Sequence, residues 1–213
     1  LVKNNMEFLK VNQYLHTYYD KSKYLDLRWP FKGSEFIGKN YSQSYQDMFV
    51  LTALNGKRNG KYLEIGAAEP FYGNNTALLE TQFDWTGYSL EIMEHLINPF
   101  KEARKNEIIH TDATTVDYLA FLDGLNEGTE WDYLQVDCDP PSATFEILKK
   151  IPFWKYKFAT ITYEHDYYAD PQGDYRQKSR DLLLKEGYVL LVGNIAPDNK
   201  RPYEDWWVHP DLV

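Results

Sequence analysis

The chain has 213 residues, of which 43% are hydrophobic and 26% charged, and its formal net charge is −9. This is enough apolar material for one well-packed α/β domain. The acidic balance, with no run of more than two Lys or Arg residues, counts against a nucleic-acid partner, which needs a basic surface. No apolar stretch reaches the ~20 residues of a membrane span, so we expect none.

Cys138 is the only cysteine, so the chain can form no internal disulfide and lacks the cysteine pairs of a zinc site. A cytoplasmic location is expected, because thiols stay reduced there. The chain begins with Leu1, and we expect it to be one domain of a longer protein fused to other domains. A homo-oligomer is compatible with the sequence.

Residues 1–40 show weak helical periodicity and predict a helical N-terminal arm, separate from a main domain over residues 41–213. Beyond residue 42, helical patterns alternate with short apolar runs, which is typical of a Rossmann-like, open, mostly parallel α/β sheet with seven strands and helices on both faces. The predicted helices are 42–55, 76–82, 93–105, 116–125, one starting at 140–141, and 175–186. The predicted strands are 61–68 (running into a turn), 87–91, 108–112, 132–137, 158–163, 188–192, and 206–208 as either a seventh strand or a lid.

Four predicted strands end on a carboxylate: Glu64, Glu91, Asp112 and Asp137, at intervals of 27, 21 and 25 residues. Such an interval holds a strand, a helix and two loops. Because the carboxyl ends of parallel strands meet at one edge, where ligands bind, we expect these acids to line one crevice. Each acid alone could be a helix N-cap, but four strand ends in register favour a ligand bearing hydroxyls, a cation, or a metal ion.

The turn after the first strand contains Gly66 followed by two alanines, not the three glycines of a dinucleotide site. S-adenosylmethionine carries no phosphate, and its sulfonium and ammonium groups suit a carboxylate such as Glu64. Glu91 is placed to accept hydrogen bonds from two ribose hydroxyls. Asp112, followed by Ala113, is placed to accept one from an adenine amino group.

Several segments carry a family resemblance: 42–47 (SQSYQD), 64–67 (EIGA), 73–76 (GNNT), 89–91 (SLE) and 137–139 (DCD). Over residues 42–194, about three-quarters of the chain, the sequence resembles class I S-adenosylmethionine-dependent methyltransferases of the FkbM type. The resemblance implies that cofactor and adds residues to its site: Ser42, Gln46, Asn75, Thr76 and Asp137. The chain departs from the family after Asp137, where many members have Glu-Gly and this chain has Asp-Pro-Pro.

A second acidic group, Glu164-His165-Asp166, follows the fifth predicted strand, beside Asp137. Carboxylates packed together repel one another unless a cation lies between them, and Mg²⁺ or Mn²⁺ prefers such oxygen ligands. The chain is similar here to metal-dependent sugar O-methyltransferases, which implies Asp137 and Glu164 as metal ligands, with either Asp166 or His165 as the third. Asp137 then also serves catalysis, and either His165 or His209 is the candidate base.

We therefore expect an O-methyltransferase that acts on a hydroxyl of a sugar or sugar-like acceptor, either a small molecule or a glycan. Aromatic side chains near the predicted strand ends favour a sugar platform: Tyr163, Tyr167, Tyr168, Tyr175, Trp206 and Trp207.

Two alternatives come from other features of the sequence. Residues 139–142 (DPPS) resemble the Asp-Pro-Pro-aromatic motif of amino-methyltransferases, but Ser142 cannot stack on a flipped base. A methyltransferase fold that has lost activity could serve as a binding or dimerisation module, and the acids kept at the strand ends count against it.

Overall fold

The computed structural model describes Phe31, residues 33–196 and residues 200–213. Seven strands in these ranges form one sheet in the order β3-β2-β1-β4-β5-β7-β6. The strands are β1 Lys61–Ile65, β2 Thr86–Glu91, β3 Glu107–His110, β4 Glu130–Val136, β5 Lys157–Glu164, β6 Val189–Ile195 and β7 Glu204–Val208. The helices are α1 Gln46–Ala53, α2 Ala77–Phe83, α3 Glu94–Ala103, α4 Tyr118–Leu125, α5 Pro141–Lys150 and α6 Tyr175–Lys185, with short 3₁₀ turns at Ser34–Phe36 and Ala113–Thr115.

The predicted Rossmann-like sheet is confirmed. Strands β1 to β5 pair in parallel, and β7 runs antiparallel between β5 and β6. Residues 206–208 therefore belong to a strand inside the sheet and are not a lid. The strand order reverses between β1 and β4, so a crevice is expected at the carboxyl ends of these two strands.

Both faces of the sheet are buried, which explains why its strands read as nearly continuous apolar runs. On one face Trp206 stacks on Phe49 of α1, with ring centroids 4.9 Å apart. On the other face Leu134, Ile161 and Trp207 pack beneath α5 and α6. Trp206 and Trp207 are 1% and 0% exposed, so the prediction that they form a sugar platform is wrong: they belong to the core.

Local sequence signals set several helix boundaries. Pro141 occupies the first position of α5 directly after Pro140, as predicted, because proline lacks the amide hydrogen that a first-turn residue leaves unpaired. Asp117 caps α4 by accepting a hydrogen bond from the Ala120 amide at 3.1 Å. Gly187 follows α6 in the left-handed region, with φ +89°.

Most of the predicted N-terminal arm lies outside the described residues, which begin in that region with Phe31 and the 3₁₀ turn. Among the helices that the structure describes, none combines the length and the apolar character that crossing a membrane requires.

Candidate active site

A cleft of about 270 Å³ opens at the carboxyl edge of β1, β2 and β4. Five of the residues predicted to bind the cofactor line it: Gly66, Glu91, Asp112, Ala113 and Asp137. Much of the remaining wall is apolar and comes from Ala68, Leu90, Ile92, Met93, Cys138, Ala143 and Ile147. The cleft thus combines a few carboxylates with a largely apolar wall, as small-molecule sites commonly do.

Gly66 permits the turn after β1 to touch the end of β4. Its φ is +84°, and a β-carbon added there would lie 1.6 Å from the main-chain oxygen of Asp137. No larger residue fits unless the backbone moves. The carbonyl of Gly66 accepts a hydrogen bond from the Gln135 amide group at 3.1 Å, which fixes the turn against β4.

Glu91 holds two segments of the cleft wall together. One carboxylate oxygen accepts from the Ala68 amide at 2.7 Å, and the other from the Met93 amide at 2.8 Å. The residue is 4% exposed. Since each carboxylate oxygen has a second lone pair, Glu91 can still accept hydrogen bonds from a ligand while these contacts fix its orientation.

Asp112 both lines the cleft and caps the 3₁₀ turn that follows it. Its carboxylate accepts from the amide and the hydroxyl of Thr114, at 2.9 and 2.6 Å. These bonds hold the pKa of Asp112 below its usual value. The N-cap interpretation, which the strand-end pattern disfavoured, therefore applies to this acid in addition to its place at the cleft.

Glu64 lies in a buried network and is not part of the cleft wall. Its oxygens accept from Asn74 at 3.1 Å, from Thr76 at 3.0 Å and from Ser89 at 2.6 Å. Burial raises the pKa of Glu64 to about 7. With three hydrogen bonds inside the protein and no place in the cleft wall, Glu64 braces the turn after β1, contrary to our expectation that it suits the cationic groups of a ligand.

The other residues implied by the family resemblance do not line the cleft. Ser42 precedes α1, and its hydroxyl accepts from the Asp47 amide in the first turn of that helix at 2.9 Å. Gln46 donates to the Tyr203 hydroxyl at 2.9 Å. Thr76 is fully buried beside Glu64, and Asn75 is 4% exposed.

Three carboxyl groups meet next to the cleft, where Asp137 of the β4 end faces β5. The Glu164 carboxyl lies close to those of both Asp137 and Asp166. Burial and the neighbouring negative charges raise the pKa of Glu164 well above its usual range, and burial raises that of Asp137 to about 7. The predicted juxtaposition of the ends of β4 and β5 is present, because the two strands pair in parallel.

A further buried acid on the same face was missed by sequence reasoning. Glu204 of β7 lies opposite Glu164 and is 1% exposed. Burial raises its pKa to about 8. No sequence signal could place it there, since the antiparallel course of β7 was not predicted.

His165 points to the opposite face of the sheet from its neighbours. It is fully buried, its Nδ1 accepts from the Tyr167 amide at 3.1 Å, and its Nε2 lies 3.5 Å from an Asp205 oxygen. Arg180 donates to both oxygens of that Asp205, at 2.7 and 2.9 Å. Because both ring nitrogens face protein groups away from Asp137 and Glu164, His165 is not placed as base or metal ligand.

His209 lies at the wrong edge of the sheet for catalysis. Its amide donates to the Ala159 carbonyl near the start of β5, five positions before Glu164. At the rise of a strand, this is roughly 16 Å from the acidic group. The antiparallel direction of β7 carries the end of that strand away from the cleft, so the prediction of His209 as base is wrong.

Of the predicted aromatic platform, one side chain remains beside the acids and exposed. Tyr168 is 48% exposed and donates a hydrogen bond to Asp166. Tyr163 is fully buried, and Tyr167 lies beneath the Arg176 guanidinium, 3.5 Å from it. Tyr175 packs against Phe145, with ring centroids 6.0 Å apart.

Comparison with known proteins places the fold. No family model matches the chain, and no curated protein matches its sequence. Fibrillarin from Aeropyrum pernix, solved with natively bound S-adenosyl-L-methionine, has a TM-score of 0.50 at 14% identity, over 71% of this chain and 67% of that chain. The Dnmt2 methyltransferase of S. pombe has a TM-score of 0.51 at 17% identity, over 70% of this chain and 48% of that chain.

A protein from Clostridium thermocellum, provisionally described as an rRNA methylase, has a TM-score of 0.50 at 12% identity, over 72% of this chain and 89% of that chain. The fold is that of class I S-adenosylmethionine-dependent methyltransferases. At these identities the likeness shows the fold alone, so substrate and mechanism depend on the residues of this chain.

Proposed function

We propose that this chain binds S-adenosylmethionine in the cleft beside Gly66 and transfers its methyl group to a hydroxyl of a sugar or sugar-like acceptor. The observation that carries the cofactor is the cleft at the switch point of a methyltransferase-fold sheet, with the oriented Glu91 carboxylate in its wall. Glu91 suits a ribose diol. Asp112 and Ala113 with the apolar wall suit an adenine ring.

S-adenosylmethionine, when bound, supplies an activated methyl group. Asp137 lines the cleft and belongs to the buried acidic group, so it lies between the cofactor cleft and the acceptor side. A pKa raised to about 7 by burial makes its carboxylate a suitable acceptor for the hydroxyl proton near neutral pH. Asp137 thus serves as general base, and the protein's main contribution is to hold the acceptor oxygen in line.

A divalent metal ion on the acceptor side is a separate question within this proposal. Asp137, Glu164 and Asp166 offer the oxygen ligands that Mg²⁺ or Mn²⁺ prefers. In the ranges that the structure describes, no group of three or more His, Cys, Asp or Glu side chains is placed to hold a metal ion. The steps above therefore use only the chain's own residues.

The acceptor class rests on the acids together with Tyr168. Carboxylates accept hydrogen bonds from hydroxyls, and the half-exposed Tyr168 ring at their edge offers a face on which a sugar ring can stack. The net charge of −9 opposes the approach of a nucleic-acid backbone.

Calorimetric titration with S-adenosylmethionine, after chelator treatment and with or without Mg²⁺ or Mn²⁺, tests the cofactor. We expect binding without metal. Absence of binding in both conditions would refute the proposal and favour a binding module that has only the fold.

Two variants separate the cofactor from the acceptor side. Asp137→Ala should abolish turnover on the accepted sugar with little change in cofactor affinity, whereas Glu91→Ala should weaken cofactor binding. The assignment of Asp137 fails if its variant turns over normally at saturating cofactor. A turnover that needs added metal would restore the metal hypothesis.

A further inference from the structure

We propose that Arg104 is a positioning residue, which holds the loop after β1 in the shape that the cofactor cleft requires. Arg104 follows α3 and lies outside the cleft wall. The inference rests on the proposed binding of S-adenosylmethionine and adds a residue that does not touch it.

The Arg104 side chain is completely buried and uses all three of its nitrogens. Nε donates to Glu80 at 2.8 Å. One terminal nitrogen donates to the Pro70 carbonyl at 2.8 Å and to Asn74 at 3.0 Å, and the other to Thr76 at 3.0 Å. The guanidinium also lies 4.9 Å from the centre of the Phe100 ring. One cation therefore ties α3 to the loop between β1 and α2.

Asn74 passes this constraint to the cleft. The oxygen that accepts from Arg104 also accepts from the Thr76 and Ala77 amides, at 3.0 and 2.8 Å, at the start of α2. The nitrogen of the same side chain donates to the Ala67 carbonyl at 3.1 Å. With both ends bonded, the Asn74 amide cannot rotate without losing several bonds.

The last residue in this series of contacts is Glu91, the carboxylate that we propose to bind the cofactor. The residue after Ala67 is Ala68, which lines the cleft and whose amide donates to Glu91 at 2.7 Å. A continuous series of bonds thus runs from Arg104 through Asn74 and the Ala67–Ala68 peptide to Glu91. If the hydrogen bond between Arg104 and Asn74 is lost, the Ala67–Ala68 peptide is held less firmly, and Glu91 is less well oriented.

The geometry demands arginine, because only a planar guanidinium can donate in several fixed directions at once. Lysine keeps the charge near Glu80 but cannot reach Pro70, Asn74 and Thr76 together. Arg104→Lys therefore removes the positioning bonds while avoiding an unpaired buried Glu80 carboxylate.

The test compares Arg104→Lys with Arg180→Lys in the whole 213-residue chain. Arg180 donates to both carboxylate oxygens of Asp205 in β7, at 2.7 and 2.9 Å, and lies away from the loop. These distances are close to the 2.8 Å between Arg104 and Glu80. Two quantities are measured in each variant: the Kd for S-adenosylmethionine by calorimetry, and amide hydrogen exchange over residues 66–77 in the free protein.

We expect Arg104→Lys to raise the Kd about tenfold, a coupling of ordinary size for residues that act through others, and to speed exchange over residues 66–77. Arg180→Lys should lower the melting temperature with a Kd unchanged within about twofold, the scatter of unlinked sites. Equal Kd values in the two variants, or unchanged exchange in Arg104→Lys, would overturn the inference.

Two outcomes need separate treatment. If Arg104→Lys does not fold, Glu80→Gln takes its place, because it loosens one partner of Arg104 and should shift the Kd and the exchange in the same direction by less. If the wild-type chain does not bind S-adenosylmethionine, the proposed function is wrong, and the exchange comparison alone decides whether Arg104 holds the loop.

Discussion

Gly66→Ala tests whether the turn after β1 touches β4 as closely as the structure shows. An added β-carbon would lie 1.6 Å from the Asp137 oxygen, against an ordinary contact of 3.4 Å, so the two atoms must separate by about 1.8 Å. The turn also holds φ at +84°, a left-handed conformation that costs alanine about 1 kcal/mol. Both effects act on one peptide.

The magnitude follows from the sum of these effects. Overpacking that moves backbone costs up to about 3 kcal/mol, so Gly66→Ala should lower the free energy of unfolding by about 4 kcal/mol with the strain included. In a domain of this size, this corresponds to a melting temperature lower by about 10 °C. The cofactor Kd should rise as well, because Asp137 and Gly66 both line the cleft.

Gly187→Ala is the matched control for this experiment. Gly187 has φ +89°, and nothing lies within 4 Å of its added β-carbon. This variant suffers the backbone strain without the clash and should lose about 1 kcal/mol. Urea unfolding of both variants separates the two effects. Equal losses would show that the Asp137 carbonyl does not press on Gly66.

Three further predictions concern pH, helix stability and the acceptor. Burial raises the pKa of Glu64 from 4.5 to about 7, so the folded state holds this proton more tightly and stability falls by up to about 3 kcal/mol as pH rises from 4.5 to 7. Urea unfolding between pH 5 and pH 8 should show a shallower fall in Glu64→Gln, and an unchanged slope would contradict the burial argument. Gly124→Ala, exposed inside α4 with open space at its β-carbon, should raise the unfolding free energy by about 1 kcal/mol in the same assay; a loss would mean that the helix is not regular there. Tyr168→Ala should raise the acceptor KM roughly fivefold through lost stacking, and Tyr168→Phe should not; equal KM values in the wild type and Tyr168→Ala would remove the platform.

The order of helices and strands could be predicted from the sequence because short apolar runs alternate with helical patterns, and several of these runs end at or near an acidic residue. The positions of Glu91, Asp112 and Asp137 at or just after strand ends correctly predicted that they lie at one edge of the sheet. The sequence could not say which way a side chain points at that edge. Glu64 alternates with Leu63 and Ile65, and only the fold shows that its acceptors are used by Asn74, Thr76 and Ser89.

Two other outcomes depended on long-range information. An arginine at the end of a helix ordinarily suggests a solvated cation that favours the helix dipole, so nothing local marks Arg104 as buried. His209 was misplaced because local sequence does not reveal the direction of β7. Once that strand is known to be antiparallel, the residue after it must lie at the amino edge of the parallel strands.

Two consecutive residues of the antiparallel strand β7 have different roles, because they lie on opposite faces of the sheet. Glu204 joins the acidic group on one face, while Asp205 binds Arg180 on the other. The cleft that we propose for the cofactor, by contrast, is lined by residues between 66 and 147. On the proposed function, an exchange of residues 189–208 between relatives of this fold should change acceptor preference and leave methyl-donor binding at the cleft intact.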